Sequence, residues 1–216
     1  MSARGLFLTF EGGEGAGKST QIRRLARDLE AAGHTVLVTR EPGGTPFAEA
    51  IRGLLLGAGA SEDALTQALL FAAARREHIR ALIAPALAAG HIVLCDRFAD
   101  STRAYQGGRL PEAELAATIA LATGGLLPDL TLLLDLPPEA GLARARARSA
   151  ATDTFERADL AFHAAVRARF LALAKAEPQR IAVIDASADE AAVATAVRST
   201  VAARLGLPGT PDGQGA

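Results

Sequence analysis

Five short apolar runs punctuate the chain: Leu6–Phe10, Thr35–Thr39, His91–Asp96, Leu130–Asp135 and Ile181–Asp185. None alternates cleanly between apolar and polar residues, the pattern of strands covered on both faces. Between them lie stretches of helical character near 18–32, 47–56, 62–88, 112–123, 138–148, 155–176 and 189–205. Gly33 and Gly90 follow two of these, as helix C-termini prefer, and Pro137-Pro138 opens another, where a missing N–H costs little. The regular alternation predicts an α/β fold: one doubly wound, mainly parallel five-stranded sheet with helices on both faces. The expected domain spans 1–205, and the Gly- and Pro-rich segment 206–216 reads as a disordered tail. Ligands of such folds bind at the carboxyl ends of the strands. Asp96, Asp135 and Asp185 end three runs and Glu11 follows the first, so chemistry is expected there.

Composition narrows the reading. Half of the 216 residues are apolar, enough for a substantial core, and the formal net charge is −1. That balance provides no global basic field and argues against a nucleic-acid partner, so anionic ligands must be met by local arginines. A single cysteine, Cys95, rules out an intrachain disulfide and suits a reducing cytosol. The opening apolar run, Gly5 to Phe10, is too short for a signal peptide or a membrane span, so a cytoplasmic protein without a membrane partner is expected. The chain has no asparagine and only two lysines, Lys18 and Lys175, so a lysine inside a glycine loop carries weight.

That loop is Gly12-Gly13-Glu14-Gly15-Ala16-Gly17-Lys18-Ser19, a G-x-x-x-x-G-K-[ST] pattern between a strand and a helix. The glycines let successive backbone N–H groups converge on one concavity, and the adjoining helix adds its positive N-terminal end. Lys18 can reach the β- and γ-phosphates of ATP, and the Ser19 hydroxyl can ligate Mg²⁺. The fold is therefore expected to be of the P-loop NTPase type. A GTPase reads guanine with Asn-Lys-x-Asp, which a chain without asparagine does not contain. A small-molecule kinase and an ATPase switch with a protein or DNA partner both remain.

The rest of the chain bears on that choice. Asp96-Arg97-Phe98 closes the third run, and Asp100-Ser101-Thr102-Arg103-Ala104-Tyr105-Gln106-Gly107 comes next. An aspartate there can hold Mg²⁺ or its waters, or orient an attacking oxygen, while Arg97 offers a forked grip on a second phosphate. A simple ATPase has no use for that second grip. Thr39-Arg40-Glu41-Pro42-Gly43-Gly44-Thr45 ends the second run, and by itself says little more than a βα turn. On the long helical stretch Gln67, Phe71, Arg75 and His78 share one face, so Phe71 and Arg75 can stack a base and bond its edge.

These segments together resemble the bacterial thymidylate kinases of the nucleoside monophosphate kinase superfamily, over nearly the whole chain. The resemblance rests on Gly12–Ser19 with Thr20, Thr39–Thr45, Asp96-Arg97-Phe98 and Asp100–Gly107. It implies transfer of phosphate from ATP to dTMP with Mg²⁺. In that frame Phe71 stacks on thymine, Arg75 bonds its carbonyl edge, and Arg40 and Arg97 hold the acceptor phosphate. Glu11 and Tyr105 surround the deoxyribose, and Ser101 and Gln106 position the nucleotide. Asp96 serves Mg²⁺ with Ser19, and the loop with Thr20 cradles ATP. The family also implies a homodimer and a lid over ATP, here about 144–157. Since the phosphate loop carries Glu14 where some members place an arginine, the resemblance assigns the catalytic arginine to the lid. Arg148 is the first choice, with Arg144 on the same face towards ATP, and Arg146 pointing away.

Overall fold

A computed structural model describes residues 4–57, 60–148 and 159–207. Five strands form one parallel sheet in the order β2-β3-β1-β4-β5: β1 (Phe7–Glu11), β2 (Val36–Arg40), β3 (Ile92–Asp96), β4 (Leu130–Asp135) and β5 (Ile181–Asp185). Their β-branched and leucine-rich sequences suit two-sided burial, and every residue of the central β1 is buried. Around them lie α1 (Lys18–Ala31), α2 (Pro46–Leu56), α3 (Ala64–His78), α4 (Ala84–Ala88) and α5 (Ala99–Gln106). The chain continues through α6 (Glu112–Thr123), α7 (Pro138–Arg148), α8 (Leu160–Ala176) and α9 (Glu190–Leu205).

The pleat divides β1 between two cores. Leu8 and Phe10 point to the layer of α1 and α9, packing with Leu94, Leu132, Ile22 and Val197. Phe7 points to the opposite layer with Val93, Phe98, Ile83 and Leu115. Thr9 is buried on that second face as well, and its hydroxyl meets that of Thr131 on β4 at 2.8 Å, which satisfies both. No helix among the described residues is long and apolar enough to cross a membrane.

Three departures from the sequence reading matter. The stretch 62–88 is not one helix: α3 ends at His78, a π-turn spans Ile79–Ile83, and α4 comes after it with Pro85 in its first turn. A single π-turn changes the helical phase between α3 and α4, so the face carrying Gln67 to His78 is aimed independently of α4. The segment after Asp96 forms the helix α5, which the apolar pattern did not announce. Strands β1 and β2 run one residue further than expected, to Glu11 and Arg40. The expected helix over 155–176 is described from Leu160, and residues 155–158 and 208–216 lie outside the described residues.

Candidate active site

One cavity of about 490 Å³ lies at the carboxyl ends of β1, β2 and β3. The order of the sheet explains its position: β3 lies between β1 and β2, so the loops leaving Glu11, Arg40 and Asp96 converge.

Residues 14–20 of the glycine loop and the first turn of α1 line its floor, while Gly12 and Gly13 are not among the lining residues. Gly12 has φ 136°, and a Cβ there would come 2.4 Å from the Leu134 carbonyl oxygen. Gly15 has φ 66°, and a Cβ there would meet the Gly141 carbonyl oxygen of α7 at 2.0 Å. Both positions therefore exclude a side chain on backbone conformation and on space. The N-terminus of α1 carries no side-chain cap, and while the N–H groups of Thr20 and Gln21 donate to the Gly17 carbonyl, those of Lys18 and Ser19 can meet an anion. Lys18 is buried and folds back over the loop, its Nζ donating to the carbonyls of Gly12 at 3.1 Å and Gly13 at 2.8 Å. Burial, and then the neighbouring Arg97 charge, push its ammonium below the ordinary lysine value. The Ser19 hydroxyl donates to Asp96 Oδ2 at 2.7 Å, so these two oxygens form one small polar corner. Ala16, Gly17 and Thr20 line the same floor.

The opposite wall is built from side chains. Arg97 takes a left-handed backbone at φ 69°, rare for a residue with a Cβ, and this turn swings its guanidinium back over the loop. Its Nη2 donates to Glu14 Oε1 at 2.6 Å, and its Nη1 to the Gly12 carbonyl at 3.1 Å and Ser101 Oγ at 3.2 Å. The guanidinium stacks 5.0 Å above the Tyr105 ring, whose hydroxyl donates to Glu14 Oε1 at 2.8 Å. Burial works to raise the Glu14 carboxyl, but Arg97, Lys18 and the Tyr105 hydroxyl outweigh it and hold it at about 2. Glu14, expected among the groups facing ATP, thus points to the acceptor wall as the partner of Arg97.

Glu11 does not line the cavity. It sits beneath the wall, where Oε1 accepts from the N–H groups of Phe98 at 2.8 Å and Ser101 at 3.1 Å, and Oε2 accepts from the Ser101 hydroxyl at 2.5 Å. It therefore caps α5, which has no side-chain cap of its own. Burial, and secondarily the Asp100 charge, raise its carboxyl to about 7. Strand β1 extends to Glu11 and directs its carboxylate into the protein, so any part it has at the sugar runs through Ser101, which does line the cavity.

Phe71, Arg75, Tyr105, Gln106 and Ser101 all line the cavity, as the sequence suggested. Gln106 is fully buried, its Nε2 donates to Gln67 Oε1 at 3.3 Å, and its Oε1 has no partner among the described residues. Arg40 stands at the exposed rim, and its Nη2 donates to both oxygens of Glu49 at 3.0 Å. Arg144 is not in the cavity: its Nη1 donates to the Ala186 carbonyl at 3.0 Å, beyond the end of β5. Arg148 ends α7, and its side chain lies outside the described residues, as do 149–157 of the expected lid. Arg52 on α2, Thr102 and Glu41 also line the cavity and were missed in the sequence. Arg52 comes after Ile51 and precedes an apolar run, which made it look like an ordinary helix-surface cation. Glu41 was visible only as part of a motif whose purpose the sequence did not disclose.

A glycine loop that can cradle phosphates faces a wall of arginine, aromatic and amide groups across one cavity, which defines a P-loop nucleotide kinase fold and site. The profile described as "Thymidylate kinase" matches residues 10–197. A thymidylate kinase of Caulobacter vibrioides is 57% identical over 207 residues, covering 94% of this chain and 99% of that protein. One of Geobacter sulfurreducens is 53% identical over 209 residues, covering 93% and 98%. The crystal structure of thymidylate kinase from Ehrlichia chaffeensis superposes with a TM-score of 0.76 at 33% identity, covering 92% of this chain and 99% of that one. The chain belongs to the thymidylate kinase family.

Proposed function

We infer that the chain phosphorylates dTMP to dTDP with ATP, a step of nucleotide biosynthesis, and that the transfer is direct and in line. The observation that carries this reading is the continuity of the cavity: Lys18 and Ser19 at one end share it with Phe71, Arg75 and Arg97 at the other. A phosphoryl group can pass between two nucleotides without leaving such a space. In this reading the loop 12–19 and Thr20 cradle the ATP phosphates, and Lys18 leaves its two carbonyl partners to reach the β- and γ-phosphates. Arg97, with Arg40 at the rim, holds the acceptor phosphate, and the pair with Glu14 keeps the Arg97 fork in place until then. Phe71 stacks on the base and Arg75 bonds its carbonyl edge. Gln106 Oε1 meets a donor of the nucleotide, Tyr105 flanks the sugar, and Ser101 holds Arg97 on its inner side.

The Ser19–Asp96 corner offers a hydroxyl and a carboxylate, hard oxygen donors of the kind Mg²⁺ takes together with nucleotide phosphates. Bound there, Mg²⁺ would neutralise charge on the transferring group. Arg148 is assigned to the same charge from the lid, and Arg144 to the ATP side. We also assign residues 1–205 to a single kinase domain, a cytoplasmic location and a homodimer. The dimer is supported by exposed Phe47 and Leu54 on α2, Leu65 and Leu69 on α3, and Leu121 on α6, three helices packed side by side. Light scattering that returns a monomer would remove that last assignment.

The functional test is coupled ADP release with each nucleoside monophosphate supplied in turn. The expected result is turnover with dTMP, weaker turnover with dUMP, and none with AMP, GMP or CMP. ADP release that ignored every acceptor would return the ATPase-switch reading.

A further inference from the structure

The motif Thr39–Gly44 looked like a plain turn in the sequence, yet it contributes to a deeply buried ionic group. Glu41, Arg75 and His78 are each 5% exposed or less. Arg75 Nε donates to Glu41 Oε2 at 2.7 Å, and His78 Nδ1 lies 3.0 Å from Glu41 Oε1. A carboxylate only accepts, so Nδ1 carries a proton in either charge state of the ring. The other ring nitrogen, Nε2, meets Thr39 Oγ1 at 2.7 Å. The result is a chain of contacts, Thr39–His78–Glu41–Arg75, that runs from the end of β2 to the wall of the cavity.

Such a group is a poor way to gain stability. Desolvating the charges offsets most of their attraction, and an apolar cluster of equal volume does as well or better. The geometry favours orientation instead. Arg75 Nη2 donates to Thr102 Oγ1 at 3.0 Å, and the guanidinium lies 5.1 Å over the Phe98 ring. Two of its nitrogens are thereby fixed and its plane is set, while the residue as a whole lines the cavity. The surroundings defend the arrangement. A Cβ on Gly44 would fall 2.6 Å from both His78 Nε2 and Thr39 Oγ1, and Arg75 and His78, three residues apart on α3, share one face of that helix.

We propose that Glu41, held by His78 and Thr39, is the positioning residue that sets base choice by fixing Arg75 as a rigid donor towards the base. This rests on Arg75 being the base-reading residue. An arginine has donors only, so a fixed one donates to the 4-carbonyl of thymine or uracil and opposes the 4-amino group of cytosine, donor against donor. A loosely held arginine could turn aside and let the amino group in. Rigidity, and not the charge alone, is what rejects cytosine.

The test compares kcat/KM for dTMP and dCMP in the wild type and in Arg75→Ala, Glu41→Gln and Thr39→Val, with the ATP KM and thermal midpoint of each. Glu41→Gln is expected to narrow the dTMP-to-dCMP ratio by at least about tenfold and to leave the ATP KM within about twofold. Thr39→Val, isosteric and away from the cavity wall, is expected to narrow the ratio in the same direction by a smaller factor. A merely structural role would lower both substrates together, and an unchanged ratio in Glu41→Gln beside a collapsed one in Arg75→Ala overturns the proposal. An unchanged ratio in Arg75→Ala removes the base-reading assignment and this proposal with it. Should Glu41→Gln fail to fold, Thr39→Val decides alone, and an unchanged ratio there is fatal.

Discussion

The two ends of the cavity are made in opposite ways. The phosphate-loop end is backbone: glycines in left-handed conformations, an uncapped helix terminus, and one lysine resting on two carbonyls. The acceptor end is side chain, from β2, α3, β3 and α5, cross-linked through Glu14–Arg97–Tyr105 and Glu41–Arg75–His78 before any ligand arrives. A triphosphate looks much the same on every nucleotide, and a curl of N–H groups is sufficient for it. A particular base and sugar need donors and acceptors at fixed points, and these are fixed by burying their partners.

If this division holds, mutations at the two ends fail differently. The largest effect belongs to Lys18→Ala, which should lower kcat at least ~10³-fold while the dTMP Kd from calorimetry stays within about twofold. Next comes Arg97→Ala, expected to weaken dTMP binding and transfer together by ~10²-fold in kcat/KM. Equal losses of dTMP affinity in both variants would break the comparison. Arg148→Ala should cost at least about tenfold in kcat with little change in the dTMP KM, and Arg146→Ala much less. Lysine at 148 should not restore full activity, because a point charge lacks the planar fork. Wild-type turnover by Arg148→Ala would move the catalytic charge to another arginine. Tyr105→Ala should narrow the preference for dTMP over its ribose analogue by a few-fold, since a ring beside the sugar, as proposed, would leave no room for a 2′-hydroxyl. An unchanged ratio would count against that role.

A separate expectation, read in stability and not in turnover, concerns acid. Glu14 stands at about 2 in the fold against 4.5 unfolded, so on acidification the unfolded chain takes the proton first. Its contribution, at most ~3 kcal/mol, is complete above pH 4.5 and drains away towards pH 2. Glu11, raised to about 7, acts in reverse: the folded form holds the extra proton, so its contribution falls as pH rises from 4.5 to 7. Thermal midpoints of Glu14→Gln should therefore decline less than wild type below pH 4.5. Parallel curves would mean that the Glu14–Arg97 pair does not persist in solution.

The same division governs what could be read from the chain. The phosphate loop and all five strands were legible because each is a contiguous pattern, and Asp96 and Arg97 stood out at a strand end. The acceptor wall was legible in its members and not in its wiring. Nothing local distinguishes Glu14 facing Arg97 from Glu14 facing ATP, and only the extension of β1 to Glu11 turns the Glu11 carboxylate inward. Helix α5 escaped notice because six of its eight residues are buried, polar ones included, so no amphipathic stripe announces it. The break after His78 left no trace either, since a π-turn inserts backbone without a marker residue.

The strand order also sets a timetable. The central strand β1 is the first to be synthesised, but its neighbours are β3 and β4, which end at Asp96 and Asp135. Until well over half the chain has left the ribosome, Phe7, Leu8 and Phe10 lack the full set of strands that covers them, and β2 has nothing to pair with before β3 emerges. Such long-range parallel pairing makes for slow, late commitment to the fold. During translation the ATP loop is therefore exposed long before the acceptor wall exists. Arrested nascent chains ending before residue 130 should stay protease-sensitive around β1, and early protection there would show that another segment shelters it first.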